Sequence, residues 1–269
     1  MNTVNQHEYI YCINYMKKCS DLLKISQQTF SLALTFFHRF NNHYKNKNSK
    51  NTENLKNEIN EDEIIDPNIN IPLDNELLCC TCLYLACKSN EVNRKIRDVI
   101  NVGYRVLHPE EKTLKIDDIF WKFCNSLVNS ELILLRVLKF DVNTKLAYQY
   151  LLRFFQDYLI SDFCDLKYEY KSNSLNLENI LRYLTQISWS FINDCYLNPE
   201  ICINYSHKSI AVASLYFGMK SLNIKLSKPF PQWCHELSSK LNPDEILDII
   251  HDQINFYNNK SHIMIENNK

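Results

Sequence analysis

One seven-residue pattern occurs twice in this chain. Leu83-Tyr84-Leu85-Ala86-Cys87-Lys88-Ser89 is echoed by Leu215-Tyr216-Phe217-Gly218-Met219-Lys220-Ser221, with Leu, Tyr, Lys and Ser in register. The first copy closes a stretch from Asp74 to Lys88 that is apolar on nearly every side. A helix of that kind has no polar face to offer water, so it belongs at the centre of a bundle. Two copies ask for two bundles. Apolar spacing is helical almost throughout. It predicts five helices in a first unit, near Glu8–Leu23, Ser26–Asn42, Asp74–Lys88, Ile96–Leu107 and Asp117–Lys139. It predicts five more in a second unit, near Thr144–Leu159, Leu177–Tyr196, Tyr205–Leu222, Trp233–Ser238 and Asp244–Asn258. The expected fold is all-α, two tandem five-helix bundles over residues 1–142 and 143–269.

Polar runs punctuate the pattern. Lys45 to Glu63 is Asn, Lys and Glu with few large apolar residues, and reads as a disordered insertion (45–63) in the first unit. Ser161 to Asn176 loosens the first connection of the second. Ser26 and Asp74 are expected helix caps.

Several classes of chemistry are excluded by residue usage. The chain has two glycines in 269 residues, Gly103 and Gly218, and both lie inside apolar helical patterns. Phosphate-cradling loops, dinucleotide fingerprints and nucleophile elbows need glycine where the backbone meets a ligand or turns sharply. A nucleotide-using enzyme is therefore not expected. The eleven cysteines show no pair of Cys-x-x-Cys motifs and there is no His-Glu-x-x-His, so no metal site or disulfide framework is read. They are expected to be buried free thiols. A thiol-dependent enzyme has no local motif to support it. The net charge of −1 argues against a general nucleic-acid binder. Leu77–Cys87, the longest near-apolar run, is too short to span a bilayer. The first residues carry no secretory signal pattern, and an intracellular protein is the simplest reading.

Two charges fall where apolar side chains are expected. Lys88 lies four residues after Tyr84 and three after Leu85. Glu131 lies four after Leu127, three before Leu134 and four before Leu135. These are helical-neighbour spacings. A charge there is costly unless it is paired or used by a partner. One Lys and one Glu could serve each other, either to hold the third and fifth helices in register or to offer hydrogen bonds to a second protein.

At these residues the chain resembles the cyclins. The first cyclin box carries a Lys at the end of its third helix in an LACK-type run, and a Glu in its fifth helix nine residues before a Phe. Lys88, Glu131 and Phe140 match all three. Arg97-Asp98-Val99-Ile100-Asn101-Val102 and Phe120-Trp121 are most similar to cyclin Q, a cyclin related to the transcriptional group. The resemblance spans roughly Tyr9 to Tyr257, and its specific part is Leu77 to Leu152. It implies two tandem cyclin boxes and a cyclin-dependent protein kinase as partner in a heterodimer. The implied kinase-binding residues are Lys88, Glu131, Leu135, Phe140 and Val142. No catalytic residue, cofactor or metal of its own is implied, since ATP and magnesium bind the kinase. Direct nucleic-acid or membrane contact is not expected, and the location implied is the nucleus, with the cytoplasm second. The alternative is a cyclin-fold transcription-initiation scaffold without a kinase, although the usual zinc ribbon and basic DNA-facing helices are missing.

Two departures from the family pattern bear on function. Ser89, Asn90 and Glu91 follow the Lys, where many cyclins have an apolar residue and paired acids. The first helix reads Tyr11-Cys12-Ile13-Asn14-Tyr15-Met16-Lys17 and lacks the Met-Arg-Ala-Ile-Leu groove of cell-cycle cyclins, so Arg-x-Leu docking is not expected. Arg94, Lys95 and Arg97 form a basic cluster, either a solvated face or a phosphate-accepting patch.

Overall fold

The computed structural model describes residues 3–54, 74–111, 114–156, 177–224, 226 and 228–266. Among them are eleven helices and no strand pairs into a sheet. The chain divides into two compact units, Met1–Thr144 and Lys145–Lys269.

The first unit holds α1 (Thr3–Leu22), α2 (Gln27–Asn54), α3 (Asn75–Ser89), α4 (Ile96–Leu107) and α5 (Asp118–Val137). Helix α3 packs against α1, α2, α4 and α5. Its run from Leu78 to Leu83 is buried at every position, as are Leu85, Ala86 and Cys87. The apolar-all-round pattern is thus that of a central helix. Helix α2 lays Phe30, Leu32, Leu34, Phe36 and Phe37 into the same core.

Local chemistry sets several helix starts. The Ser26 hydroxyl accepts from the Thr29 N–H at 3.3 Å at the head of α2. Asp117 Oδ1 accepts from the N–H groups of Ile119 and Phe120 at 3.0 and 3.1 Å at the head of α5. These satisfy donors that the helix itself cannot. Asp74 precedes α3, but its carboxylate makes no capping bond. Burial, and then the Glu76 carboxyl beside it, raise the Asp74 pKa.

Helix α2 corrects the sequence expectation. It continues to Asn54 rather than ending near Asn42, so residues 45–54 of the expected insertion are helical. The extension is Lys- and Asn-rich and follows a well-packed helix. Elongation costs far less than nucleation, so a polar segment can prolong a helix it could not start. Residues 55–63 of that insertion lie outside the described residues, as do Pro72, Leu73 and Ser161 to Asn176.

The second unit contains α6 (Ala147–Phe154), α7 (Leu177–Cys195), α8 (Pro199–Asn204), α9 (His207–Ser221), α10 (Phe230–Leu237) and α11 (Pro243–Glu266). Helix α9 is the counterpart of α3: it packs against α6, α7 and α11 and buries Ser209 to Leu215, Gly218 and Met219. The short α8 was not expected from apolar spacing. Its signal was chemical: Pro199 opens it, and Asn198 Oδ1 accepts from the Glu200 N–H at 3.1 Å.

The two glycines serve close approach rather than turning. A Cβ on Gly103 would lie 2.7 Å from Cys80 Sγ and 2.8 Å from the Tyr15 hydroxyl. One on Gly218 would lie 2.7 Å from Ser188 Oγ and 2.9 Å from Leu184 Cδ1.

All ten described cysteines are buried free thiols. Burial pushes the Cys87 and Cys234 thiols up to about 11. Because all ten are buried away from reagent, these thiols are expected to resist an aromatic disulfide reagent at pH 8 until denaturant is added. Mass-spectrometric mapping of labelled cysteines in the native chain checks this.

Candidate functional site

The end of α3 and the second half of α5 bring the two singled-out charges together. Lys88 Nζ lies 2.7 Å from Glu131 Oε1. Glu131 sits on the buried side of α5 with Phe120, Cys124, Leu127, Ser130 and Leu134. The pair is asymmetric: the Glu131 side chain is 9% exposed and that of Lys88 is 52% exposed. Here the expectation of two charges on buried apolar faces needs correction. Glu131 is buried, whereas the Lys88 stem reaches out past Tyr84, placing Nζ 5.2 Å from that ring's centroid. A long aliphatic stem lets an ammonium gain a carboxylate and an aromatic face without full desolvation. An ammonium carries three donors. One is used by Glu131, and the half-exposed side chain can turn the others outward.

The turn after α5 completes the site. The Lys139 N–H donates to the Arg136 carbonyl at 3.0 Å and the Phe140 N–H to the Leu135 carbonyl at 2.9 Å. This is the paired closure by which helices end on a left-handed residue. That position usually holds glycine. Here Lys139 has φ 54° and Phe140 has φ 58°. Two consecutive left-handed non-glycine residues cost about 1–2 kcal/mol each. The consequence is a Phe140 side chain thrown outward, 67% exposed. Leu135 and Val142 are half-buried beside it. Lys88, Glu131, Leu135, Phe140 and Val142 therefore belong to the end of α3, the end of α5 and the segment that follows it. Exposed Val128 and Leu132 continue the apolar surface along α5.

Two contributors were missed by sequence reasoning. Ser89 Oγ donates to the Val142 carbonyl at 2.8 Å. Arg39, on α2, donates from Nη1 to the Asp141 carbonyl at 3.1 Å and from Nη2 to the Leu138 carbonyl at 3.3 Å. Its Nη2 also lies 3.2 Å from Asp141 Oδ2. Neither contact has a sequence signal, because the partners lie 53 and about 100 residues away.

The basic cluster divides. Arg94 is a structural residue: Nε donates to the Leu23 carbonyl at 2.8 Å and Nη2 to the Lys24 carbonyl at 2.9 Å. It closes the end of α1, where Lys24 has φ 52°. A phosphate-accepting patch loses one of its three members.

The second unit repeats the geometry without the acid. Lys220 Nζ stands 5.4 Å from the Tyr216 ring centroid. The helix ends in the same closure, with Ile224 N–H donating to the Met219 carbonyl at 2.9 Å and Asn223 at φ 54°. Among the described residues Lys220 forms no ion pair. Phe230 and Trp233 pack with Tyr216 in place of an acidic helix.

No described group of three or more His, Cys, Asp or Glu side chains could hold a metal ion. Among the described residues no helix is long and apolar enough to cross a membrane.

Comparison with known proteins bears on both units. Cyclin-T1-4 of Arabidopsis thaliana is 23% identical over 252 residues, 92% of this chain and 38% of that protein. Cyclin pch1 of Schizosaccharomyces pombe is 24% identical over 219 residues, 80% of this chain and 51% of that protein. The chain thus spans only about half the length of these curated relatives, or less. Among solved structures, a chain of the yeast RNA Pol II CTD kinase CTDK-1 complex aligns with TM-score 0.62 and 18% identity, over 96% of this chain and 67% of that one. That likeness shows the shared fold. The family model described as "Cyclin, N-terminal domain" matches residues 2–143. The match runs from the start of α1 through the left-handed turn and takes in the Lys88–Glu131 pair, so the chain belongs to the cyclin family.

Proposed function

We propose that this chain is the regulatory subunit of a transcription-related cyclin-dependent protein kinase. It acts by docking the surface formed by the ends of α3 and α5 against the mobile C helix of the kinase. Lys88 and Glu131 hydrogen-bond kinase backbone groups there, and Leu135, Phe140 and Val142 pack on the same helix. Holding that helix inward brings the kinase's own Glu to its phosphate-anchoring Lys and helps order the activation loop. The driving force is preferential contact with the active kinase conformation. The chain supplies no catalytic group, ATP and magnesium bind the kinase, and the complex works in the nucleus. The second unit is a second cyclin box that supports the first.

The observation that carries this reading is the half-exposed Lys88 ammonium paired to a buried Glu131 beside an outward Phe140. An ion pair with one partner so exposed contributes about 0–1 kcal/mol to stability. That is a poor return for placing a carboxylate on the buried side of α5. A surface that presents spare donors next to a rigid apolar anchor is what a protein partner needs. Relatives named as T-type cyclins, and the fold shared with a chain of an RNA polymerase II CTD kinase complex, support the transcriptional class.

The test is reconstitution of the purified chain with each cyclin-dependent kinase of its source, with phosphorylation of an RNA polymerase II C-terminal-repeat peptide as readout. At least one kinase should be activated; absence of binding to every one at micromolar concentration would refute the reading. In the same assay Lys220→Ala should keep near-normal activation while Lys88→Ala loses most of it, because among the described residues only Lys88 of the two has a carboxylate partner. Equal losses would place the working face in both units.

A further inference from the structure

We infer that Arg39 and Ser89 are positioning residues of the docking surface, acting by locking the strained turn that presents Phe140; the step from turn to partner rests on the docking role proposed above. Lys139 and Phe140 hold φ 54° and 58°, a conformation that L side chains leave readily unless their surroundings impose it. The turn closes on itself through its N–H groups, with Asp141 N–H donating to the Leu138 carbonyl and Val142 N–H to the Phe140 carbonyl, both at 3.1 Å. Arg39 and Ser89 add side-chain donors from outside the turn. The Arg39 fork takes the Leu138 and Asp141 carbonyls, which bracket the two left-handed residues. The Ser89 hydroxyl takes the Val142 carbonyl. Relaxation of either φ would swing these carbonyls away from their donors.

The guanidinium is suited to this and an ammonium is not. Its donors lie in one rigid plane and reach two acceptors at once. Arg39 also lies 3.2 Å from the Asp141 carboxylate, so charge pairing and carbonyl gripping can be separated by substitution. Lysine keeps the charge and loses the fork. Ser89 adds a second link: the last turn of α3 holds Glu131 through Lys88 and the segment after α5 through Ser89. The polar contacts and the apolar anchor of the surface are thereby referred to one helix end. A partner then meets Phe140 already in place and does not have to order it.

The experiment has two arms. In the first, the full chain carries 4-fluorophenylalanine at position 140 and its ¹⁹F spectrum is recorded without any partner. The parent should give one sharp resonance, Arg39→Met several or a broadened one, and Ser89→Ala a smaller change of the same kind. Lys139→Gly in the Arg39→Met background should restore the single resonance, because glycine occupies the left-handed region without strain. An unchanged spectrum in both Arg39→Met and Ser89→Ala overturns the inference. In the second arm, affinity is measured for the kinase activated in the reconstitution, well below the melting temperature of every variant. Arg39→Met and Arg39→Lys should each weaken binding about tenfold, the scale of re-ordering one anchor side chain, and Lys139→Gly should recover most of it. Parent-like binding by Arg39→Lys overturns the fork. Lys88→Glu is the control for the docking reading: if it binds like the parent, the reading fails, while the first arm still decides whether Arg39 and Ser89 hold the turn.

Discussion

Lys88→Glu is expected to abolish kinase binding and activation while the chain stays helical. The substitution removes the ammonium that neutralises Glu131 and sets two carboxylates at the same point. Once a docked partner covers the half-exposed Lys88, truncating one member of such a desolvated, hydrogen-bonded charge pair costs about 2–5 kcal/mol in binding, a loss of roughly thirtyfold or more. Charge reversal adds repulsion to that loss. The effect on folding is smaller, because the Lys88 side chain is half in water and the new acid can turn outward. Titration calorimetry with the activated kinase measures the first quantity and circular dichroism the second. Parent-like affinity would sink the interface assignment. Loss of helix content would show that the pair serves only to hold α3 and α5 in register.

The largest effect on stability is expected from Leu83→Ala. Leu83 has no exposed surface and lies on the helix that packs against all four others of the first unit. Removing its side chain leaves a cavity that the neighbouring helices cannot close without moving together. Buried Leu→Ala changes cost about 2–5 kcal/mol, a large fraction of the stability of a single domain. A denaturant midpoint lowered at unchanged slope is the expected reading. Leu22→Ala is the matched control, since Leu22 is 55% exposed; the same substitution there should cost under about 0.5 kcal/mol. Equal losses at both positions would show that α3 is not the centre of the unit.

The α-helical class, the positions of α3, α4, α5 and α9, and the duplication were legible in the sequence because helical period and all-round apolarity are local properties. So was the pairing of Lys88 with Glu131, because a charge at an apolar position asks for a partner and few were available. Polar helix extension was not legible in α2, since composition reports what can pack and not where an established helix stops. The exposure of Lys88 was decided by tertiary structure: sequence spacing puts its Cα on a buried helix, but only the arrangement of Tyr84 and Glu131 shows that the stem leads the ammonium out. The same holds for the turn at Lys139 and Phe140. Nothing in Leu138-Lys139-Phe140-Asp141 announces two left-handed residues, because neither is glycine. Their conformation is accompanied by contacts from Arg39 and Ser89, which the chain reaches only after folding brings α2 and α3 beside the end of α5. Sequence by itself determined which helices form and which faces they bury, since those follow from period and solvation. The tertiary structure decided which side chains are presented, since that depends on carbonyls and charges far apart in the chain.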